Sequence, residues 1–224
     1  MKSRAGVVVE GTSSHHHHRH ALPHGLSVGV DGVTRCFWCG SDPLYTHYHD
    51  TEWGFSVRDD RRLFEKMSLE GFQAGLSWIT ILRKRRNFRA AFADFDIEKV
   101  ARFGVRDVSR LLGDAGIVRH RGKIEAIIGN ARRCAKLIDA EGSLTNYAWR
   151  FEPAASSRPR RLTWRVLKAM GTTPESVALS KDLKQRGWRF VGPTTMYAFM
   201  QAAGLVNDHV HGCHARARAD EGRG

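Results

Sequence analysis

From residue 59 to residue 203 the chain repeats one pattern, apolar residues at helical spacing closed off by capping residues and glycines. Alternating stretches of the kind a strand needs are nearly absent. Such a pattern leaves helix-on-helix packing as the way to bury a core, so the fold class read here is mainly α. Leu63, Phe64 and Met67 follow Asp59 and Asp60, which are placed to favour a helix start. Further helices are predicted over 76–92, 96–100, 105–112, 123–138, 163–170, 176–186 and 195–203, with 151–161 as a loop. On the second of these, Arg83, Lys84, Arg85, Arg86 and Arg89 are expected on the outer side.

The 224 residues suit one domain or two small lobes around a shared core. Residues 1–33 are rich in Gly, Ser and His without apolar period and read as a disordered tail; residues 215–224 read as a short basic one. The domain is therefore expected over 34–214. Of the formal net charge of +13, each tail contributes only +1, leaving +11 on the body. A body this basic suits a polyanion, because neutralised phosphates release counterions. No apolar run approaches a membrane span, and Glu10 interrupts Val7-Val8-Val9 before a secretion signal is formed. Four cysteines are too few for a disulfide scaffold, so a reduced cytoplasmic protein is expected.

Three constellations carry chemistry. First, the helix predicted to end at Gly187 is followed by a short apolar link and Gly192-Pro193, which turns the chain into another helix. The free amides at that second N-terminus would form an anion site, flanked by Lys184, Arg186 and Arg189. Second, Cys36-x-x-Cys39 and His209-x-x-x-Cys213 have metal-ligand spacings, the latter suited to a helical turn. Spacing alone leaves the ligand set open among Cys36, Cys39, His47, His49, His209, His211, Cys213 and His214. Third, Glu70 interrupts an apolar stretch, and a carboxylate there is costly unless it has a task. Trp38, Tyr45, Tyr48, Trp53 and Trp78 cluster in the same parts of the chain.

Four blocks, in order over 35–213, resemble the bacterial 3-methyladenine DNA glycosylase I family: residues 36–53, 69–78, 114–124 and 204–213. The resemblance implies the helix-hairpin-helix DNA glycosylase fold, with 191–195 as the DNA-gripping hairpin and Gly192, Thr194 and Thr195 at the DNA. It also implies a structural zinc ion held by Cys36, His49, His209 and Cys213, joining the N- and C-terminal segments. Glu70, Tyr48 and Trp78 are assigned to the base pocket, with Trp38, Trp53 and Tyr45 as walls. Cys39 is then extra, and Cys134 a small buried residue on a helix. The implied activity is hydrolysis of the N-glycosidic bond of 3-methyladenine in alkylated double-stranded DNA, with the base flipped out of the stack. The protein is expected to act as a monomer, in the bacterial cytoplasm at the nucleoid.

Departures from the wider superfamily sharpen this. Phe190 stands where a hairpin Gly is usual, and Asn207 where many members place a catalytic Asp. Thr194 or Thr195 occupies the position of the lyase branch's nucleophilic Lys, so base excision without strand cleavage is expected. Leu76, between Glu70 and Trp78, is either a plug for the gap left by a flipped base or a core leucine.

Overall fold

The computed structural model describes residues 25–223. A three-residue antiparallel hairpin opens it, β1 (Leu26–Val28) with β2 (Thr34–Cys36), paired Leu26 to Cys36. Eleven α-helices follow among the described residues: α1 (Pro43–Thr51), α2 (Asp60–Gln73), α3 (Trp78–Ala91), α4 (Ile97–Ala101), α5 (Val105–Gly113), α6 (Arg121–Glu141), α7 (Leu144–Trp149), α8 (Trp164–Ala169), α9 (Pro174–Gln185), α10 (Pro193–Ala202) and α11 (Ala215–Glu221). The mainly α expectation agrees with this order. None of these helices is long and apolar enough to cross a membrane.

Local chemistry sets the boundaries. Asp42, Asp59, Asp96, Ser143, Thr163 and Thr173 each accept a backbone N–H of the helix they precede, as N-caps do. Pro174 and Pro193 stand at first helical positions, where the missing N–H costs nothing. For that reason α10 begins at Pro193 rather than at residue 195. The main core joins α2, α3, α6, α9 and α10, with Phe64, Phe72, Phe88, Phe92 and Phe199 fully enclosed.

Helix α3 departs from its expected orientation. Arg85 is 9% exposed, and both it and Arg89 turn inward to Glu65 of α2, at 2.8 and 2.7 Å. Glu65 is wholly buried, and burial alone would raise its pKa; Arg89, Arg85 and Arg62 overcome this and hold it near 2. The basic run at 83–89 is thus partly an internal counterion set rather than an outer stripe.

Both expected tails are corrected where they are described. Leu26, Cys36, Leu162, Leu167, Val210, Cys213 and Ala215 form a second apolar cluster, which gives β1 and the start of α11 something to bury against. His214 N donates to Thr34 O, tying the two ends of the domain together, and His211 N donates to Leu162 O. Ordered structure therefore begins before residue 34 and continues past 214. Residues 1–24, including the His15–His18 run, lie outside the described residues.

Candidate active site

Helix α1 brings two aromatic residues to one face: Tyr45 and, about one turn later, the fully enclosed Tyr48. The last turn of α2 adds Glu70 and Gln73, and the first residue of α3 is Trp78. Trp38 and Trp53 close one side, while Trp164, Leu167 and Lys168 of α8 and Ala198 and Gln201 of α10 close the other. Together they line a cavity of about 240 Å³, on the scale of one planar heterocycle. The rings contact one another: Trp38 lies 4.8 Å from Trp53 and 5.2 Å from Tyr45, and Tyr48 lies 5.4 Å from Trp78, centroid to centroid. All six sequence-predicted pocket residues meet here.

Glu70 is 6% exposed, and no hydrogen bond from the described residues reaches its carboxylate. Burial pushes its pKa up to about 8, against the opposing pull of the Lys66 ammonium. A buried acid without a partner in an aromatic cavity favours its neutral form until a cation arrives. Aromatic faces attract that same cation through their quadrupoles. The arrangement is built to take up a flat, positively charged group.

A larger cleft of about 520 Å³ lies between residues 153–160, residues 205–207 and α11. Its guanidiniums are largely spent: Arg158 pairs with Asp208, Arg223 with Glu152, and Arg216 donates to His209 O. Asn207 lines this cleft and not the aromatic cavity. Its amide is committed to Arg216 O and Asp220 Oδ1, and its Oδ1 accepts from His209 N. In this chain Asn207 braces α11.

Beside the cavity, Cys36, His49, His209 and Cys213 bring their ligand atoms within 4.8 Å of one another, all four residues buried. His49 Nε2 and His209 Nδ1 are 3.2 Å apart, and the sulfur-to-nitrogen separations run from 3.5 to 3.8 Å. A tetrahedral zinc with ordinary bond lengths gives edges of about 3.3–3.8 Å, so the donor set fits that ion. The second nitrogens are oriented as metal-ligating histidines require: His49 Nδ1 meets Asp50 Oδ1 at 2.8 Å and His209 Nε2 meets Trp53 O at 2.7 Å. Residues 209–213 are a loop, not the helical turn their spacing suggested; Cys213 N donates to Val210 O and Gly212 sits at φ 96°. Cys39 is buried outside the four, its thiol donating to Cys36 O, and Cys134 is buried on α6. The rings of Trp38 and Trp53 lie 5.2 and 4.9 Å from His49 and His209, so cluster and cavity share a wall.

A model of the methyladenine glycosylase family matches residues 38–217. The chain belongs to that family. It is 52% identical over 182 residues to DNA-3-methyladenine glycosylase 1 of Escherichia coli (strain K12), covering 81% of this chain and 96% of that protein. Its fold is similar to a crystal structure of 3-methyladenine DNA glycosylase I, with a TM-score of 0.74, 49% identity, and 80% and 98% of the two chains covered. A variant of 3-methyladenine DNA glycosylase I in complex with 3-methyladenine matches with a TM-score of 0.72, 37% identity, and 81% and 97% coverage.

Outside the cavity, this methyladenine glycosylase carries the hairpin between α9 and α10. Phe190 takes φ 57°, the left-handed region, which explains why glycine is the usual residue there. Trp188 and Val191 anchor the hairpin in the core, and Asn130 of α6 holds it from below: Nδ2 donates to Arg189 O and Oδ1 accepts from Arg189 N, both at 2.9 Å. Gly192, Thr194 and Thr195 sit at the start of α10, with Thr194 exposed. Arg186 is paired with Asp182 and Glu141, whereas Lys184 and Arg189 are exposed without an acidic partner among the described residues. Leu76 is 41% exposed on the turn between α2 and α3, with Gly75 before it at φ 82°. Lys123 of α6 clasps that turn, donating to Phe72 O and Ala74 O. Asn130, Lys123, Gln73, Gln201, Trp164 and Lys168 escaped the sequence reading, since each serves the site only by packing against residues distant in the chain.

Proposed function

We propose that this protein excises 3-methyladenine from alkylated double-stranded DNA by hydrolysing the N-glycosidic bond, acting as a monomer of a helix-hairpin-helix fold. The observation that carries the proposal is Glu70, a buried carboxylate without a hydrogen-bond partner among the described residues, inside an aromatic cavity the size of one base. A base methylated at N3 is cationic while joined to the sugar, and normal adenine is not, so the cavity discriminates by charge. The cationic base is already a good leaving group, and the absence of an Asp at the Asn207 position fits that chemistry. As the bond breaks the base loses its charge, so Glu70 acts mainly by capturing and orienting the flipped base. The α10 N-terminus, with Gly192, Thr194 and Thr195, supplies backbone donors for DNA phosphate. Cys36, His49, His209 and Cys213 would hold one structural Zn²⁺ in a closed site, clipping the termini together.

The direct test is chromatography of bases released from methylated duplex DNA. The intact protein is expected to release 3-methyladenine and leave the strand uncut. The cavity does hold one amine at its mouth, Lys168; an imine trapped there by borohydride would overturn the assignment as a simple glycosylase. Release of no methylated base while duplex binding survives would instead favour a DNA-binding module without catalysis.

Leu76 is proposed as the plug that fills the vacated stack. Its exposure leaves it little role in the core, so Leu76→Ala is expected to keep the parent's melting temperature within about 2 °C. Affinity for a duplex containing an abasic site should fall by roughly tenfold. Unchanged affinity in a titration would remove Leu76 from the flipping machinery.

A further inference from the structure

Gln201 occupies the last turns of α10 and lines the aromatic cavity. Its main chain is pinned, because Gly54 N donates to its carbonyl at 2.9 Å. Its side chain is pinned too, with Nε2 at 2.9 Å from Oδ2 of Asp208. Asp208 is wholly buried and receives two further donors, the Tyr197 hydroxyl on the same oxygen and the Arg158 guanidinium on the other. Arg158 donates to one oxygen and the Tyr197 hydroxyl to the other, so the oxygen that faces Gln201 is used as an acceptor. The Gln201 amide therefore has one permitted orientation, NH₂ toward Asp208. Its carbonyl Oε1 is left without a hydrogen-bond partner among the described residues, on a side chain that borders the cavity.

An acceptor fixed in this way distinguishes purines by one position. Adenine carries an exocyclic amine at C6, a donor; guanine carries a carbonyl there, an acceptor. A site that has been arranged to receive a donor leaves its own oxygen unpaired, and opposed to another oxygen, when the wrong base enters. Glu70 discriminates on charge, and 3-methylguanine bears the same charge as 3-methyladenine. Charge alone therefore does not separate the two lesions.

Resting on the glycosylase reading above, we propose that Gln201 is a specificity-determining residue whose carbonyl accepts from the exocyclic amine of the flipped adenine and disfavours 3-methylguanine. Asp208 is its positioning residue, and Arg158 braces that carboxylate through its other oxygen. This also gives a task to Arg158 in segment 151–161, which reaches inward to the carboxylate that holds the Gln201 amide.

The experiment follows 3-methyladenine and 3-methylguanine released from the same methylated duplex, by the intact protein, Gln201→Met and Asp208→Asn, with melting temperatures recorded for each. Gln201→Met keeps the side chain's length and removes its polar atoms, and is expected to lower the adenine-to-guanine rate ratio by about tenfold or more. Asp208→Asn offers an amide donor to Oε1, which turns the Gln201 amide round and faces its NH₂ toward the cavity; the ratio should shift further toward guanine. A purely structural role would slow both releases alike. Folded variants whose ratio equals the parent's would therefore overturn the proposal; if Asp208→Asn fails to fold, Gln201→Met decides alone. An intact protein that releases no 3-methyladenine would fail the glycosylase reading itself, a result distinct from an active protein with an unaltered ratio.

Discussion

Replacing Glu70 by glutamine is expected to give a protein that is more stable than the parent at pH 8.5 and at least roughly a hundredfold slower in releasing 3-methyladenine. Both effects come from one carboxyl group. In the unfolded chain Glu70 loses its proton near its ordinary value of 4.5, whereas burial holds the proton in the folded protein up to about 8. The folded state then binds more protons than the unfolded state between those values, so native stability falls as pH rises through that window. The full effect of such a displacement is on the order of 5 kcal/mol, and glutamine, which is itself polar and buried, recovers part of it. A gain of about 1–3 kcal/mol, or some 2–10 °C in Tm, is expected at pH 8.5 and should vanish near pH 4.5. Thermal melts of the two proteins across that range check it; a gap independent of pH would mean that ionisation of Glu70 does not load the fold. On the activity side, an incoming cationic base draws the proton off Glu70, and glutamine has no charge to offer. Single-turnover rates at saturating protein separate capture from chemistry. Normal duplex binding with a lost cleavage step would contradict a recognition role.

The second large effect concerns the Cys/His cluster. Protein lacking the first 24 residues, so that His15–His18 contribute nothing, is expected to carry one equivalent of zinc. His209→Ala should abolish it and lower Tm by roughly 10 °C, several kcal/mol at this chain length. Activity should fall as well, because His209 and His49 support Trp53 and Trp38 in the cavity wall. Zinc under half an equivalent in freshly purified protein, or a His209→Ala variant that melts with the parent, would remove the metal from the account.

What could be read from the chain depended on whether a residue's role was local. Helices α2, α3, α5 and α6 have apolar residues at helical spacing, and their sites in the sequence agree with their sites in space to within a few residues. Helix α1 did not announce itself: its two fully enclosed residues, Tyr48 and His49, are adjacent, serving cavity and cluster rather than forming an apolar stripe. Helix α11 buries only Ala215 and Ala219, too small an apolar face to stand out in a charged segment. Glu70 was legible because a carboxylate in an apolar run is locally improbable. Gln201 was not, since glutamine on a helix is ordinary until Asp208 and the cavity are seen beside it. Arg85 misled for the same reason, being one of several cations in a row with a buried partner 20 residues earlier.

The wall shared by cluster and cavity also orders events during synthesis. Trp38 and His49 are made early, but the histidine and cysteine that hold them in place come late; Cys36 and His209 stand 173 positions apart. A nascent chain can therefore assemble the α2–α6 helices, with Glu70 and Trp78 in position, while the side of the pocket formed by Trp38 and Trp53 still lacks the residues it packs against. The side of the pocket that Trp38 and Trp53 form is therefore completed only with the final stretch of translation.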